Sequence, residues 1–313
     1  MLANLANVLP IFALILTGYI ARRSGALGPN ATREINRLVI TLALPALLFD
    51  IMAKAQPAQI WHPGFILAFT GGCALIYAAT LALRLRQGSH LADAAIDGLN
   101  AGYANTGFMG FPLVLAIIGP AGMPGALVAT IITVCILFAI AIILIESGLQ
   151  AEGRRRDILR RTALSLVKNP LLIAPVLGAI FLVTGLPLPK PADSFLKLLG
   201  GAASPCALIA LGLFLAQNAG RRPRAGVGVQ SLLIGLKLIG QPLLTWLIAV
   251  PLLHLPHDLA LTAVLLAALP TGTGPFMLAE FYEREALLTG RVVLLSTLLS
   301  LLTLPVLMAL WPA

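Results

Sequence analysis

Charge is scarce in this chain. Of 313 residues, 11% are Asp, Glu, Lys or Arg and 59% are hydrophobic. A water-soluble domain carries roughly 25% charged residues, so this chain cannot cover itself in water. Histidine and cysteine are also sparse. His62, His90, His254 and His257 fall between the long apolar stretches, and Cys73, Cys135 and Cys206 each lie in a different stretch. That dispersion suits packing and gives no metal-ligand spacing. HExxH, a GxSG serine with a membrane histidine, and a GxGD aspartate are all missing. Their absence excludes the intramembrane protease chemistries those motifs carry, and no catalytic residue, metal or cofactor is expected. The first apolar run has no basic residue before it and is followed by Arg22 and Arg23. A cleaved leader has the reverse charge order, so this run is read as a retained span.

Long apolar runs are what the chain has in quantity. Measured against the ~20 residues that a spanning helix needs, ten are read: 4–21, 35–53, 64–83, 94–117, 122–145, 169–186, 195–217, 229–250, 259–281 and 290–310. The segment 146–168, "ESGLQAEGRRRDILRRTALSLVK", is the one obvious linker. The expected class is an all-α membrane protein of ten helices. Its expected units are 1–146, a basic linker over 147–168, and 169–313.

The net charge of +9 does not imply nucleic acid. Seventeen of the 21 Lys and Arg residues lie in or beside loops that follow odd-numbered spans; Lys54, Lys190 and Lys197 follow even ones. The positive-inside rule places the odd loops in the cytoplasm and both termini outside. The run "GRRRDILRR" could also contact anionic lipid.

The second half repeats the first. "RLVITLALPALLFDIMAKAQ" starts at Arg37 and "KLLGGAASPCALIALGLFLAQ" at Lys197; each has a proline eight positions on, Pro45 and Pro205, at an offset of 160 residues. The fourth span carries "NTGFMGFP" (Asn105–Pro112) and the ninth "PTGTGP" (Pro270–Pro275). An offset of five spans reverses membrane direction, so the halves read as two inverted five-helix repeats. Asn105 and Thr271 are each about twelve residues into their spans, or ~18 Å at helical rise, near the middle of a ~30 Å core.

Glycine and proline at mid-membrane predict breaks at Gly110, Pro112, Pro270, Gly274 and Pro275. Broken half-helices present N–H groups at one end and C=O groups at the other, and the positive end suits a carboxylate. Asn105, Thr106, Gly107, Thr271, Gly272 and Thr273 are therefore the candidate binding residues for a small organic anion. Ionisable residues inside spans are functional candidates by default. Asp50 and Lys54 are i and i+4 on one helix and can pair or serve coupling. Lys237 can balance substrate charge or hold helices together, and its partner is not legible. Asp97 and Glu280 lie near the cytoplasmic ends of the two broken helices, where solvated carboxylates are the simpler reading and a coupling role is the other, Glu280 being the better candidate for it.

The motifs "NTGFMGFP", "KLIGQPLL" (Lys237–Leu244), "ALPTGTGPFMLAEFY" and "LLSTLLSLLTLP" resemble those of the auxin efflux carrier family, bacterial relatives of the plant PIN exporters, within the wider group that includes the bile acid:sodium symporters. The resemblance spans nearly the whole chain and lacks the long cytoplasmic loop of large PINs. It implies a scaffold of helices 1, 2, 6 and 7, a transport domain of helices 3–5 and 8–10, and crossing broken helices 4 and 9. It matches the PIN asparagine that contacts the substrate carboxylate to Asn105, and the prolines of helix 9 to Pro270 and Pro275. It further implies a malate, malonate or auxin-like substrate, a homodimer, and a place in the bacterial inner membrane. Proton coupling, a sodium-coupled symporter and an anion channel are the alternatives. Saturable, counterflow-capable uptake separates a carrier from a channel, which would form its pore from one repeated ring of groups.

Overall fold

The structure, a computed structural model, describes residues 2–55, 62–150, 167–220 and 226–311. The basic run 154–161 and Arg221, Arg222 and Arg224 lie outside the described residues. Each of the ten apolar stretches is helical over most of its length. In chain order the elements are α1 (Leu2–Arg23), α2 (Ala31–Ala53), α3 (Pro63–Arg86), α4 (Leu91–Gly102), α5 (Thr106–Ile117), α6 (Pro120–Leu149), α7 (Pro170–Thr184), α8 (Lys190–Gln217), α9 (Gly226–Leu252), α10 (His257–Ala267), α11 (Gly274–Phe281) and α12 (Ala286–Leu310). No strand forms among the described residues. Among the described residues, six helices, α2, α3, α6, α8, α9 and α12, are long and apolar enough to cross a membrane. Large apolar side chains such as Val183, Leu198 and Leu310 lie bare on the outer surface, as a bilayer permits and water does not. This is a multi-pass membrane protein.

Local chemistry sets the helix ends. His90 caps α4, its Nδ1 accepting from the Ala92 N–H at 3.1 Å. Asn169 caps α7 through Oδ1 and the Leu171 N–H at 3.0 Å, with Pro170 in the first turn, where a missing donor costs nothing. Inside helices, proline acts differently. Pro45, Pro112 and Pro242 each follow a π-helical segment: Val39–Ala43, Thr106–Gly110 and Leu236–Gly240. Each segment contains the residue four before the proline, whose carbonyl the ring displaces. The helix widens there and continues. Gly110 and Pro112 therefore do not break the fourth span, contrary to the sequence expectation. The break lies earlier, at Tyr103–Asn105.

The helices pack in two sets. α1 lies on the second half of α8, and α2 on α7 and α8. α3 pairs with α4 and α9, α4 with α6, α9 with α10, and α11 with α12. Glycines set the closest approaches in the first set. A Cβ on Gly18 would strike the carbonyl of Ile209, and one on Gly178 the carbonyl of Phe49. Gly178 is 160 residues after Gly18, and Ile209 is 160 after Phe49. The same glycine-on-carbonyl contact thus occurs twice with the partners exchanged, at the offset that separates Pro45 from Pro205.

Candidate functional site

The two broken spans meet at their breaks. The Asn105 N–H donates to the Pro270 carbonyl at 2.9 Å, and the Gly272 N–H donates to the Tyr103 carbonyl at 3.1 Å. Ala104 and Thr271 sit opposite each other across this single antiparallel bridge. Extended chain at this depth is tolerable only because each break satisfies the other's backbone groups.

The four helix ends around the bridge are treated unequally. The carbonyl ends of α4 and α10 are occupied. Asn100 O accepts from Thr271 Oγ1 at 2.8 Å, Gly102 O from Gln241 Nε2 at 3.1 Å, and Ala267 O from Lys237 Nζ at 2.7 Å. The N-terminal ends of α5 and α11 instead border a cavity of about 190 Å³, lined in part by Asn105, Thr106, Gly107 and Phe108 on one side and Thr273 and Met277 on the other. The first turn of a helix leaves N–H groups without intrahelical partners, and they carry the positive end of its dipole. Leu44, Leu47 and Ile51 of α2 with Ala203 and Ser204 of α8 close the opposite wall.

Asn105 is 8% exposed, lines this cavity, and its carboxamide has no protein partner among the described residues. A buried amide normally finds partners. Thr106 has one: its Oγ1 is 2.8 Å from Thr133 Oγ1. Thr133 spends its own proton on the Ala129 or Thr130 carbonyl, at 2.9 or 3.1 Å, so Thr106 is the donor of that pair and keeps lone pairs to accept. Among the described residues no charged side chain lines the cavity. A larger groove of about 860 Å³ between α9, α10 and α12 is almost wholly apolar and gathers no set of converging polar groups. The smaller cavity is the candidate site.

Of the residues expected to bind, Asn105, Thr106, Gly107 and Thr273 come together at the cavity. Thr271 and Gly272 do not. Thr271 faces away: its Oγ1 donates to Asn100 O, and its backbone N–H donates to Ser296 Oγ at 3.2 Å. Gly272 is spent on the bridge. Pro270 lies within the break of the ninth span, over 268–273, and Gly274 and Pro275 begin the helix that follows it. Ser204 and Tyr103, whose residues also line the cavity, carried no signal in the sequence.

The other ionisable candidates lie outside the cavity. Lys54 pairs with Asp50 and also with Asp193, which holds Lys197 at 2.8 Å, tying α2 to α8. Glu280 is partly buried, with Arg33 and Glu283 as its charged neighbours. Asp97 is not the solvated carboxylate the sequence suggests: it is fully buried, with Arg84 Nε 2.7 Å from its Oδ2. Lys237 is fully buried as well, and has no carboxylate partner among the described residues.

A cavity with a few polar groups on an apolar lining, at the crossing of two broken helices in a polytopic helical bundle, is what a membrane transport protein would need. Residues 4–308 match the profile of the Membrane transport protein family, and the chain belongs to that family, the auxin efflux carriers. It is 29% identical over 303 residues to a protein of Rhizobium meliloti (strain 1021) named "Putative malonate transporter", covering 95% of this chain and 92% of that one. It is 31% identical over 306 residues to an "Uncharacterized transporter" of Methanothermobacter thermautotrophicus, covering 96% and 95%. It is 29% identical over 154 residues to "Probable auxin efflux carrier component 5c" of Oryza sativa subsp. japonica, covering 48% and 40%.

Proposed function

We propose that this protein is a secondary transporter that carries a small organic carboxylate, with malonate or malate as first candidates, by alternating access at the crossover. One observation carries the reading. The Asn105 carboxamide is nearly buried and unpartnered in a cavity onto which two half-helix N-termini open. Its amide N–H groups would donate to a substrate carboxylate, backbone N–H groups at the starts of α5 and α11 would join it, and Thr273 would add a hydroxyl donor, while Thr106, its proton spent on Thr133, would accept from a substrate hydroxyl. Apolar walls from α2 would leave room for the carbon chain.

The carrier mechanism rests on the reading of ten spans in two inverted repeats, units 1–146 and 169–313 joined by the basic linker. Exchange of the halves turns the α1–α8 contact into the α7–α2 contact, and the Gly18–Ile209 approach into Gly178–Phe49, as an in-plane pseudo-two-fold would. Helices 1, 2, 6 and 7 (α1, α2, α7 and α8) would then be the scaffold, and the remaining helices the moving domain, with the cavity between them. The protein would lie in a bacterial inner membrane with both termini outside, as a homodimer.

Uptake of radiolabelled malonate and malate into proteoliposomes tests this, native against Asn105→Ala, with no gradient, a proton gradient or a sodium gradient. Saturable uptake lost in the variant supports the site, and the gradient that drives accumulation names the coupling ion. Native-like transport by a folded Asn105→Ala overturns the site.

A further inference from the structure

Four helix ends meet at the crossing, two positive and two negative. A helix end carries about half an elementary charge, +0.5 at the N-terminus and −0.5 at the C-terminus. If all four were equally bare, the poles would nearly cancel and the crossing would have little preference for an anion. Two consecutive turns of α9 change that balance. Lys237 and Gln241, four residues apart and therefore on one face, reach the two negative ends: Lys237 Nζ the Ala267 carbonyl of α10 at 2.7 Å, Gln241 Nε2 the Gly102 carbonyl of α4 at 3.1 Å. Both side chains are fully buried. Lys237 lies within a π-helical segment, and Gln241 is the first residue after it.

The two caps differ in kind. Gln241 is neutral and also contacts Cys73 Sγ at 3.1 Å. Lys237 carries an amino group that can bear a whole charge, and no carboxylate among the described residues pairs with it. An unpaired buried ammonium is expensive, and intramembrane cations normally face a partner or a substrate path. Ala267 O is the end of the same segment that, three residues on, gives its Pro270 carbonyl to the Asn105 N–H. The missing negative charge is then the one that arrives with the substrate.

We propose that Lys237 is the fixed cation of this site, a positioning residue that makes the crossing net positive, so that a doubly charged carboxylate is preferred over a singly charged one and no metal cation is needed to balance it. The inference deepens the carboxylate-transporter reading and rests on it.

Malonate and its monomethyl ester have nearly the same carbon frame and differ by one charge. Binding and uptake of both are compared in native protein, Lys237→Gln and Lys237→Arg, with sodium or N-methylglucamine as the bulk cation and melting temperature recorded for each. Lys237→Gln keeps a donor for Ala267 O and loses the charge. The preference for malonate over the ester is expected to fall by about tenfold, the scale of a charge at a partly buried helix end, and Lys237→Arg to restore most of it. Native uptake is expected to be the same in both cations.

A folded Lys237→Gln with the native preference overturns the inference. So does sodium-dependent uptake by the native protein, which decides the matter even if the variants fail to fold. Loss of binding in Asn105→Ala with the native malonate preference retained in Lys237→Gln overturns this inference alone. Malonate neither bound nor moved by the native protein removes malonate as the substrate and this inference with it, and leaves the transporter reading to the other acids.

Discussion

The backbone N–H of Asn105 donates to the Pro270 carbonyl at 2.9 Å, across 165 positions of sequence between two interrupted helices. The bond uses main chain only, so the side chain at 105 is free of any structural duty. Asn105→Ala should therefore keep the crossing intact. Its melting temperature is expected to drop by less than about 4 °C, the scale of 1 kcal/mol in a chain of this size. Uptake is expected to drop at least about tenfold, as loss of a hydrogen bond to a charged group implies. A large fall in both would mean that the amide is structural.

Thr271 makes the opposite case. Its hydroxyl donates to Asn100 O at 2.8 Å in a fully buried setting. Thr271→Val removes that donor and leaves a buried carbonyl unsatisfied, at a cost of about 1–3 kcal/mol. Thermal unfolding in detergent should register the loss, while KM for the carboxylate in the protein that remains folded should stay within about twofold, since uniform binding is untouched. A raised KM with unchanged melting would return Thr271 to the binding set.

Much of this arrangement was legible from residue type and spacing. Asn105 marked the fourth span as interrupted, and the Gly and Pro cluster Pro270–Pro275 marked the interruption of the ninth. The position of the fourth-span break was not legible, because a proline near a helix start and a proline that ends a helix look alike in sequence. Pro112 turned out to follow a widened turn, and the chain opened at Tyr103–Asn105 instead. Lys237 found its partner in a carbonyl, and every residue has one, so no pattern could have named Ala267. Ser204 reaches the cavity through the packing of α8 on α2. An isolated serine in an apolar run gives no sign of that.

Gly18 and Gly178 carry a prediction about the repeat itself. Each is placed where a Cβ would overlap a partner carbonyl. Gly18→Ala and Gly178→Ala should each cost about 1–3 kcal/mol, the range for overpacking a fitted contact. Gly28 has nothing within 4 Å of the equivalent point, and Gly28→Ala should stay within about 0.5 kcal/mol of native. Melting curves of the three variants check this. Similar losses at 18 and 178 are what two copies of one contact require, and a neutral Gly178→Ala would argue against the exchange of partners.

The Arg84–Asp97 pair joins α3 to α4 just before the break, with Asp97 fully buried and Arg84 7% exposed. Arg84 also donates to Gln87 Oε1 at 2.7 Å, so the guanidinium is held at two points and the carboxylate at one. Removing one charge leaves the other buried alone, which costs about 3–5 kcal/mol, whereas removing both can be nearly neutral. Arg84→Met should therefore unfold far more readily than Arg84→Met combined with Asp97→Leu, as read from melting temperature in detergent. Uptake by the double variant then separates two roles. Native-like uptake would make the pair a fastener of the helices, and loss of uptake at native-like stability would make it a part of the carrier's movement.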